Sequence, residues 1–299
     1  MPLIDATVIA TFSRRMRLRL DDATEVDARI KGKKLKPVCG DRVRAEPINE
    51  EDDWLITAIH ERQNELSRPN ARGDKEVLAA NVDQLVVIAA ATPKPDWFIV
   101  DRYLCAAELM GIAATVVYNK TDLEPKNGID AALSVYDAIG YQTIKTSART
   151  GDGMDALADL LQQCTAIIVG QSGVGKSTLI NQLSDVAGQK TAEISRKHRE
   201  GRHTTVSSAM IPLPAGGAVI DSPGVRDYAP LLQSPDEAAI GYREISSTGR
   251  ECRFANCRHL REPGCAVKEA VEGGAIDARR YESYRRALAL SERLSRDRY

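Results

Sequence analysis

Residues 165–177 read TAIIVGQSGVGKS, an apolar run followed by a glycine-rich loop. The loop matches G-x-x-x-x-G-K-S from Gly170 to Ser177, and the residues from Thr178 to Leu183 have helical character. Glycines let backbone N–H groups turn toward phosphate oxygens, and a helix N-terminus adds positive partial charge. Strand, loop and helix in this order are the context that a phosphate-binding loop requires. The segment therefore predicts a nucleotide site on an α/β sheet.

Two side chains of this loop have predicted roles of their own. Lys176 is expected to reach the β- and γ-phosphates, and the hydroxyl of Ser177 to bind Mg²⁺. The other predicted nucleotide contacts in the loop and at the start of the helix come from Gly170, Gln171, Ser172, Gly173, Val174, Gly175 and Thr178.

A second motif, Asn119-Lys120-Thr121-Asp122, follows the apolar stretch Ile112–Tyr118. A carboxylate there can accept from guanine N1–H and from its exocyclic amine together, whereas adenine has no such pair of donors. Asn119 is expected to address the opposite edge of the base, and the stem of Lys120 to pack along the site. Ser147-Ala148, after the predicted strand Gln142–Lys145, is a weaker candidate for a base contact. Each of these two patterns also occurs alone in solvated turns. Combined with the phosphate loop, however, Asn119-Lys120-Thr121-Asp122 predicts that the bound nucleotide is GTP.

Two further segments resemble switches that respond to a γ-phosphate. Asp221-Ser-Pro-Gly224 follows an apolar stretch and matches D-x-x-G, so Asp221 is expected to hold Mg²⁺ through water and the Gly224 N–H to meet the γ-phosphate. Thr204 and Thr205 are adjacent, and either can complete the magnesium shell. If Thr205 is the threonine that binds, the predicted magnesium ligands are Ser177, Thr205 and Asp221.

The residue after Gly224 is Val225, where many GTPases place a glutamine that orients the attacking water. Valine cannot hydrogen-bond water, so this element must come from elsewhere. His203 is the internal candidate; it can equally be a surface histidine, and an arginine or phosphate from a partner is a rival source. The predicted catalytic residues are His203, Thr204, Thr205, Lys176 and Gly224.

The six cysteines fall into two sets. Cys39, Cys105 and Cys164 are scattered among apolar or small residues, as expected of buried thiols. The other three form Cys252-x₄-Cys257-x-His259-x₅-Cys265, which offers three thiolates and one imidazole. This set predicts a closed, structural Zn²⁺ site. Free thiols are the alternative, and a disulfide would be unusual in a cytosolic protein.

The whole 299-residue chain divides into three predicted domains, 1–68, 69–234 and 235–299. The first has five short strand patterns, typical of a small barrel of the oligonucleotide-binding (OB) type. The second alternates strands and helices, and the third is helical. Residues 67–74 are predicted to be a linker. A net charge of −1 excludes a polybasic protein, although the basic strips Arg14–Arg19 and Lys31–Lys36 can be an RNA-binding surface or a solvated face.

The order of the motifs is the most specific observation. Ordinary GTPases have the phosphate loop first and N-K-x-D late, whereas here N-K-T-D comes first, then Ser-Ala, the phosphate loop, Thr-Thr and D-S-P-G. This order is a circular permutation. With the barrel and the Cys/His cluster, the chain closely resembles the RsgA/YjeQ family of circularly permuted GTPases.

That resemblance implies a ligand, a metal set and a partner. The ligands are GTP and GDP with Mg²⁺, together with one structural Zn²⁺. The partner is the 30S ribosomal subunit with its 16S rRNA, which stimulates hydrolysis, and the function is late 30S maturation near the decoding centre. Arg250, Arg253, Arg258 and Arg261 are candidates for rRNA phosphate contacts or for an ordinary solvated face. A cytoplasmic monomer with no membrane partner is expected, because no apolar segment is long enough to span a bilayer.

Two other functions are compatible with parts of the sequence. A metabolic phosphotransferase would also use a phosphate loop, but N-K-T-D and D-S-P-G disfavour it. A nucleotide-regulated RNA-binding protein with incidental hydrolysis is the third reading. Turnover measured with and without 30S subunits separates the three.

Overall fold

The computed structural model describes residues 3–296 except 14, 33, 50, 71–73, 124–127, 186–205, 223–231 and 233–234. Its first five strands form a closed barrel in the order β1-β2-β3-β5-β4, with β4 pairing back to β1. The barrel has an apolar core of its own, which includes Val8, Leu18, Val43 and Ile56. The predicted OB-type barrel is confirmed. The strands are β1 Ile4–Phe12, β2 Met16–Leu20, β3 Glu25–Ile30, β4 Arg42–Pro47 and β5 Trp54–Ile59.

The predicted linker at residues 67–74 is wrong, because most of this stretch belongs to a hairpin. Strand β6 (Glu65–Pro69) pairs antiparallel with β7 (Lys75–Ala80). Leu66 is fully buried in the main core, and Arg68 Nε lies 2.9 Å from Glu76 Oε2 across the pair. Pro69 is the last residue of β6, and Asn70, which follows it, exchanges hydrogen bonds with Asp74 just before β7.

The nucleotide-binding sheet follows, with five parallel strands in the order β10-β9-β8-β11-β13. Alternate residues of β8 face two separate apolar cores: Leu85 and Val87 face one, and Val86 and Ile88 the other. These strands are β8 Gln84–Ala90, β9 Ala113–Asn119, β10 Gln142–Lys145, β11 Thr165–Gly170 and β13 Ala218–Asp221, and the helices among them are α1 Trp97–Met110, α2 Ile129–Ala138, α3 Met154–Leu160 and α4 Lys176–Asp185.

Strand β12 (Val206–Pro212) joins the barrel to this sheet. It pairs antiparallel with β13 on one side and with barrel strand β1 on the other, so eleven strands form one continuous sheet. Ala209 is opposite Ala10 in β1 and Asp221 in β13. We call the β1–β12 pairing the barrel seam. No strand pattern marks β12 in the sequence, since two serines and a terminal proline interrupt its apolar residues.

The C-terminal segment is helical, as predicted, and has its own core around Tyr242, Ile245, Val267 and Tyr284. Its long last helix is described up to Arg296. The elements are α5 Pro235–Ile240, α6 Arg243–Thr248, a 3₁₀ turn Gly249–Glu251, α7 Ala266–Glu272 and α8 Ala278–Arg296. Within the part of the chain that the structure describes, none of the helices combines the length and apolarity needed to cross a bilayer.

A buried ion cluster attaches this segment to the nucleotide-binding domain. Arg280 of α8 donates to Asp101 of α1 (2.8 Å) and, through Nε and Nη2, to both carboxylate oxygens of Glu244 (2.7 and 3.0 Å). The Arg280 and Asp101 side chains are essentially inaccessible to solvent. Tyr136 also donates its hydroxyl to Asp101 at 2.7 Å. We call Asp101, Glu244 and Arg280 the buried ion cluster; nothing in the sequence analysis anticipated it.

Candidate nucleotide site and metal centre

The ends of four parallel strands bring the predicted nucleotide-binding residues together. Asn119 ends β9, Ser147 lies two residues beyond β10, Gly170 ends β11 and Asp221 ends β13. Because parallel strands have their carboxyl ends on the same side of a sheet, residues separated by a hundred positions meet there.

The phosphate loop packs too closely for side chains at two of its glycines. Gly170 has φ +137°, and a Cβ there would lie 2.2 Å from the Ile88 carbonyl oxygen. Gly175 has φ +96°, and a Cβ there would lie 2.5 Å from Asn119 Nδ2. Both positions therefore require glycine.

The side chains of the loop divide into an anchor and a polar surface. Val174 is fully buried, whereas Ser172, Gly173, Ser177 and Thr178 are exposed. Lys176, at the start of α4, donates Nζ to the carbonyls of Gly170 (2.7 Å) and Gln171 (2.8 Å). The ammonium group thus lies against the loop itself, next to the positive end of α4.

Asn119 links three loops rather than facing solvent. Its Nδ2 donates to the Val174 carbonyl at 2.9 Å, and its Oδ1 accepts from Thr146 Oγ1 (3.2 Å) and the Ala148 backbone N–H (3.3 Å). The residue is 1% exposed. In this structure Asn119 fixes the base-reading segment against the phosphate loop; the predicted contact between Asn119 and the base stays a prediction.

Lys120 makes a second link to the phosphate loop. Its backbone has φ +65°, and its Nζ donates to the carbonyls of Gly173 (2.6 Å) and Thr92 (2.7 Å). The alkyl stem therefore extends from the end of β9 to the phosphate loop, and packing of this stem along a bound base stays a prediction.

Asp122 is held by two donors from the neighbouring loop. Ser147 Oγ donates to Oδ1 at 2.6 Å, and Arg149 Nε donates to Oδ2 at 2.7 Å. The hydrogen bond from Ser147 and, in addition, the contact with Arg149 lower the pKa of Asp122, although burial opposes them. The ionised carboxylate is an acceptor only, which is the form that reading two N–H donors requires.

These residues enclose a pocket of about 390 Å³ between the base-reading segments and the phosphate loop. Sequence reasoning missed Leu123 and Arg149 as wall residues, although both directly follow a predicted motif. The walls comprise Asn119, Lys120, Asp122, Leu123, Ala148, Arg149, Gly175 and Thr178.

The switch predictions fall largely outside the described residues. His203, Thr204, Thr205, Gly224 and Val225 all lie there, so their roles stay predictions. Of the second switch motif, Asp221–Gly224, the structure describes the first two residues, and Asp221 is the last residue of β13. The next residue, Ser222, is buried and accepts a hydrogen bond from Ser208 of β12 at 2.9 Å.

The predicted metal ligands Cys252, Cys257, His259 and Cys265 converge, with their ligand atoms all within 4.8 Å of one another. His259 Nδ1 lies 3.4 Å from Cys252 Sγ and 3.5 Å from Cys265 Sγ. Cys252 follows the 3₁₀ turn, and Cys265 caps α7. Three sulfurs and one imidazole nitrogen at these separations fit a tetrahedral zinc ion.

Two features favour metal binding by this loop. Burial lowers the pKa of His259, which keeps the imidazole neutral, as a ligand must be. The carboxylate of Glu262 accepts the backbone N–H groups of Arg258 (3.0 Å), Leu260 and Arg261 (both 2.9 Å). Burial raises the pKa of Glu262, but these backbone donors outweigh it and lower the pKa to about 2. By accepting these backbone N–H groups, Glu262 fixes the conformation of the loop between His259 and Cys265. No motif in the sequence indicated this role.

The arginines near the cluster differ in their surroundings. Arg258 forms an ion pair with Glu292 of α8, whereas Arg250, Arg253 and Arg261 are exposed. The Arg253 guanidinium also lies over the ring of Phe254, which is 40% exposed. Three of the four arginines are thus accessible, which is compatible both with rRNA phosphate contacts and with an ordinary solvated face.

The family model described as RsgA GTPase matches residues 59–230. The chain belongs to the RsgA GTPase family. A relative from Actinobacillus pleuropneumoniae, named small ribosomal subunit biogenesis GTPase RsgA, is 43% identical over 257 residues, covering 84% of this chain and 75% of its own. A Haemophilus influenzae protein of the same name is 42% identical over 262 residues, covering 85% and 76%.

Two solved structures match the RsgA fold over nearly the full chain. YjeQ from Thermotoga maritima has a TM-score of 0.77 at 27% identity, covering 97% of this chain and 99% of its own. YloQ, described as a circularly permuted GTPase, has a TM-score of 0.71 at 26% identity, covering 97% and 96%. The predicted architecture, a permuted GTPase domain between a barrel and a C-terminal Cys/His segment, is confirmed.

Proposed function

We propose that this RsgA-family protein binds and hydrolyses GTP and acts in biogenesis of the small ribosomal subunit. The observation that carries the proposal is the meeting of the phosphate loop with Asp122 and Ala148 around one pocket, where Ser147 holds the Asp122 carboxylate from behind the wall. The names of its relatives support the biological role.

In this proposal each group at the site has one task. The ionised carboxylate of Asp122 accepts both N–H donors of guanine, with Ser147 and Ala148 completing the base contacts. Gly170–Thr178 surround the phosphates, and Lys176 neutralises charge that develops on the β- and γ-phosphates. Ser177, Asp221 and Thr204 or Thr205 would hold Mg²⁺, which supplies further charge neutralisation. His203 or a partner group orients the water, and the Gly224 N–H contacts the γ-phosphate.

The finer biological assignment follows the resemblance of the whole chain. The partner is the 30S subunit with its 16S rRNA, which stimulates turnover during late maturation near the decoding centre. The exposed arginines beside the Cys/His cluster provide phosphate-binding groups for such a partner. We further propose that the protein is a cytoplasmic monomer with no membrane partner.

We propose three domains, at residues 1–68, 69–234 and 235–299. Support comes from the apolar cores centred on the barrel, the nucleotide-binding sheet and the C-terminal helices, although Leu66 packs in the core of the sheet and Cys105 of α1 in that of the C-terminal helices. We also propose that Cys252, Cys257, His259 and Cys265 hold one structural zinc. Metal analysis of Cys257→Ala tests this assignment, and full zinc occupancy in that variant would remove Cys257 from the set.

The decisive experiment measures GTP turnover with and without purified 30S subunits. We expect slow turnover alone and strong stimulation by the subunit, with both abolished in Lys176→Ala. Lys145→Ala is the matched control, since Lys145 forms an exposed ion pair with Asp130 outside the pocket. Stimulation by a small metabolite instead would indicate a phosphotransferase, and RNA binding without stimulated turnover would indicate a binding protein.

Two variants test the switch assignments. His203→Ala should reduce 30S-stimulated hydrolysis with little change in GTP affinity, and unchanged turnover would remove the role. Gly224→Ala should retain GTP binding but uncouple stimulation, because in chain order this switch soon precedes the C-terminal helices, which begin at Pro235; unchanged stimulation would count against this coupling.

A further inference from the structure

The two donors on Asp122 differ in how firmly they are held. Ser147, on Oδ1, is fully buried, and its Oγ also accepts the Thr150 backbone N–H at 3.2 Å. Arg149, on Oδ2, has a side chain that is 74% exposed. The hydrogen bond from Ser147 to Asp122 is therefore fixed by the buried position of Ser147. Arg149, in contrast, can give up its hydrogen bond to Asp122 and donate to water instead at little cost in free energy.

The Arg149 guanidinium and the guanine edge offer the same chemistry to a carboxylate. Both present coplanar N–H donors, and guanine brings two of them, N1–H and the exocyclic amine. With Arg149 Nε at 2.7 Å from Oδ2, one of the two oxygens that guanine would use already has a strong charged donor.

Position adds to this chemical similarity. Arg149 and Asp122 line the same pocket, and Arg149 directly follows Ala148, which also lines it. A base that binds Asp122 through both oxygens must therefore displace the guanidinium from Oδ2. Displaced Arg149 has solvent to move into, as its exposure shows.

We propose that Arg149 competes with guanine for Asp122 and thereby sets how tightly the protein holds guanine nucleotides and how fast it releases them. This inference rests on the proposed base-reading role of Asp122. As the nucleotide leaves, Arg149 takes the oxygen that the exocyclic amine gives up, which lowers the barrier to release. Because exposed ion pairs contribute little, the effect on affinity is about two- to five-fold.

The test compares GDP with IDP in wild type, Arg149→Ala and Arg149→Lys. Hypoxanthine, the base of IDP, lacks the exocyclic amine and so needs only one acceptor oxygen. Equilibrium titration should show Arg149→Ala binding GDP about two- to five-fold more tightly, with a smaller gain for IDP, so that discrimination between the two increases. Stopped-flow release of fluorescent GDP should slow in parallel. Arg149→Lys, which keeps the positive charge but not the planar guanidinium, should lie between, and Lys145→Ala should behave as wild type.

Other outcomes overturn the proposal. Weaker GDP binding by Arg149→Ala would mean that the arginine supports the bound base. Equal gains for GDP and IDP, or no gain, would mean that it does not compete for the second oxygen. Asp122→Asn separates the two levels of inference, because it should shift preference from GDP toward xanthosine diphosphate. If Asp122→Asn prefers xanthosine diphosphate but Arg149→Ala binds GDP as wild type does, only the proposed competition by Arg149 fails. If Asp122→Asn still prefers GDP, the proposed reading of the base by Asp122 fails as well.

Discussion

The two flanking segments are attached to the nucleotide-binding sheet by different kinds of interaction. The barrel is joined through the barrel seam, in which β1 and β12 pair backbone to backbone. The C-terminal helices are joined largely by side chains, with the buried ion cluster at the centre and Arg243 bound to Glu108 beside it.

The difference predicts which substitutions each attachment tolerates. Every residue has a backbone carbonyl acceptor and every residue except proline has an N–H donor, so the barrel seam should depend little on side-chain identity. A buried ion cluster depends on each member, because removing Arg280 leaves Glu244 without its described cation and Asp101 with only the partly exposed Arg279, which donates to it at 3.1 Å. The comparison can be tested at both attachments with matched substitutions.

The largest effect is expected for Arg280→Met in the buried ion cluster. Methionine keeps much of the side-chain length but leaves Asp101 and Glu244 without their shared cation. The free energy of unfolding should fall by about 3–5 kcal/mol. Chemical denaturation followed by circular dichroism measures it. Arg285→Met on the same helix is the control, since the Arg285 side chain is 54% exposed and its described partners, Glu282 and Tyr281, lie on that helix; a loss as large there would contradict the special role of the cluster.

Proline should break the barrel seam where ordinary side chains do not. Ala209 lies mid-strand in β12 with a neighbouring strand on each side, so Ala209→Pro removes a backbone donor from the sheet. We expect a loss of about 2–3 kcal/mol in the same denaturation measurement. An unchanged unfolding curve would show that the seam contributes no stability.

A smaller effect is expected at the rim of the C-terminal attachment. Arg243 donates to Glu108 and to the Gly140 carbonyl, both at 2.8 Å, and its guanidinium lies 3.9 Å from the Tyr141 ring centre. The side chain is 35% exposed, so water partly replaces these contacts. Arg243→Ala should cost about 1–2 kcal/mol. A cost equal to that of Arg280→Met would mean that burial does not decide the strength of this attachment.

The smallest effect is expected for Thr11→Val in the barrel seam. Thr11 is opposite Ser208 of β12, and valine keeps its β-branched shape. The change in the thermal unfolding midpoint should correspond to less than about 1 kcal/mol. A larger loss would indicate that side chains, not only the backbone, hold the seam.

Local patterns predicted the parts of the molecule that local chemistry specifies. The sequence alone located strand Gln142–Lys145 with the bounds that the structure gives, and the spacing of Cys252, Cys257, His259 and Cys265 predicted their convergence. Motif order also identified the permuted domain, because each motif carries its own chemical requirement.

Features that depend on distant partners were missed. Strand β12 forms because β1 and β13 lie on either side of it, and its serines conceal this in the sequence. Arg280 is one of many charged residues on α8, and only packing against Asp101, 179 positions away, makes it a buried ion. Arg149 and Glu262 likewise acquire their roles from carboxylate or backbone partners that folding brings near them.

The barrel seam also protects the nucleotide-binding sheet from self-association. Without β1, strand β12 would present a row of unpaired N–H and C=O groups along its free side, which is a template for pairing with another chain. A truncated chain lacking residues 1–68 would therefore be prone to aggregate even if its nucleotide site folded correctly. Any attempt to produce the nucleotide-binding domain alone should accordingly retain β1 or block the free side of β12 with charged residues or proline.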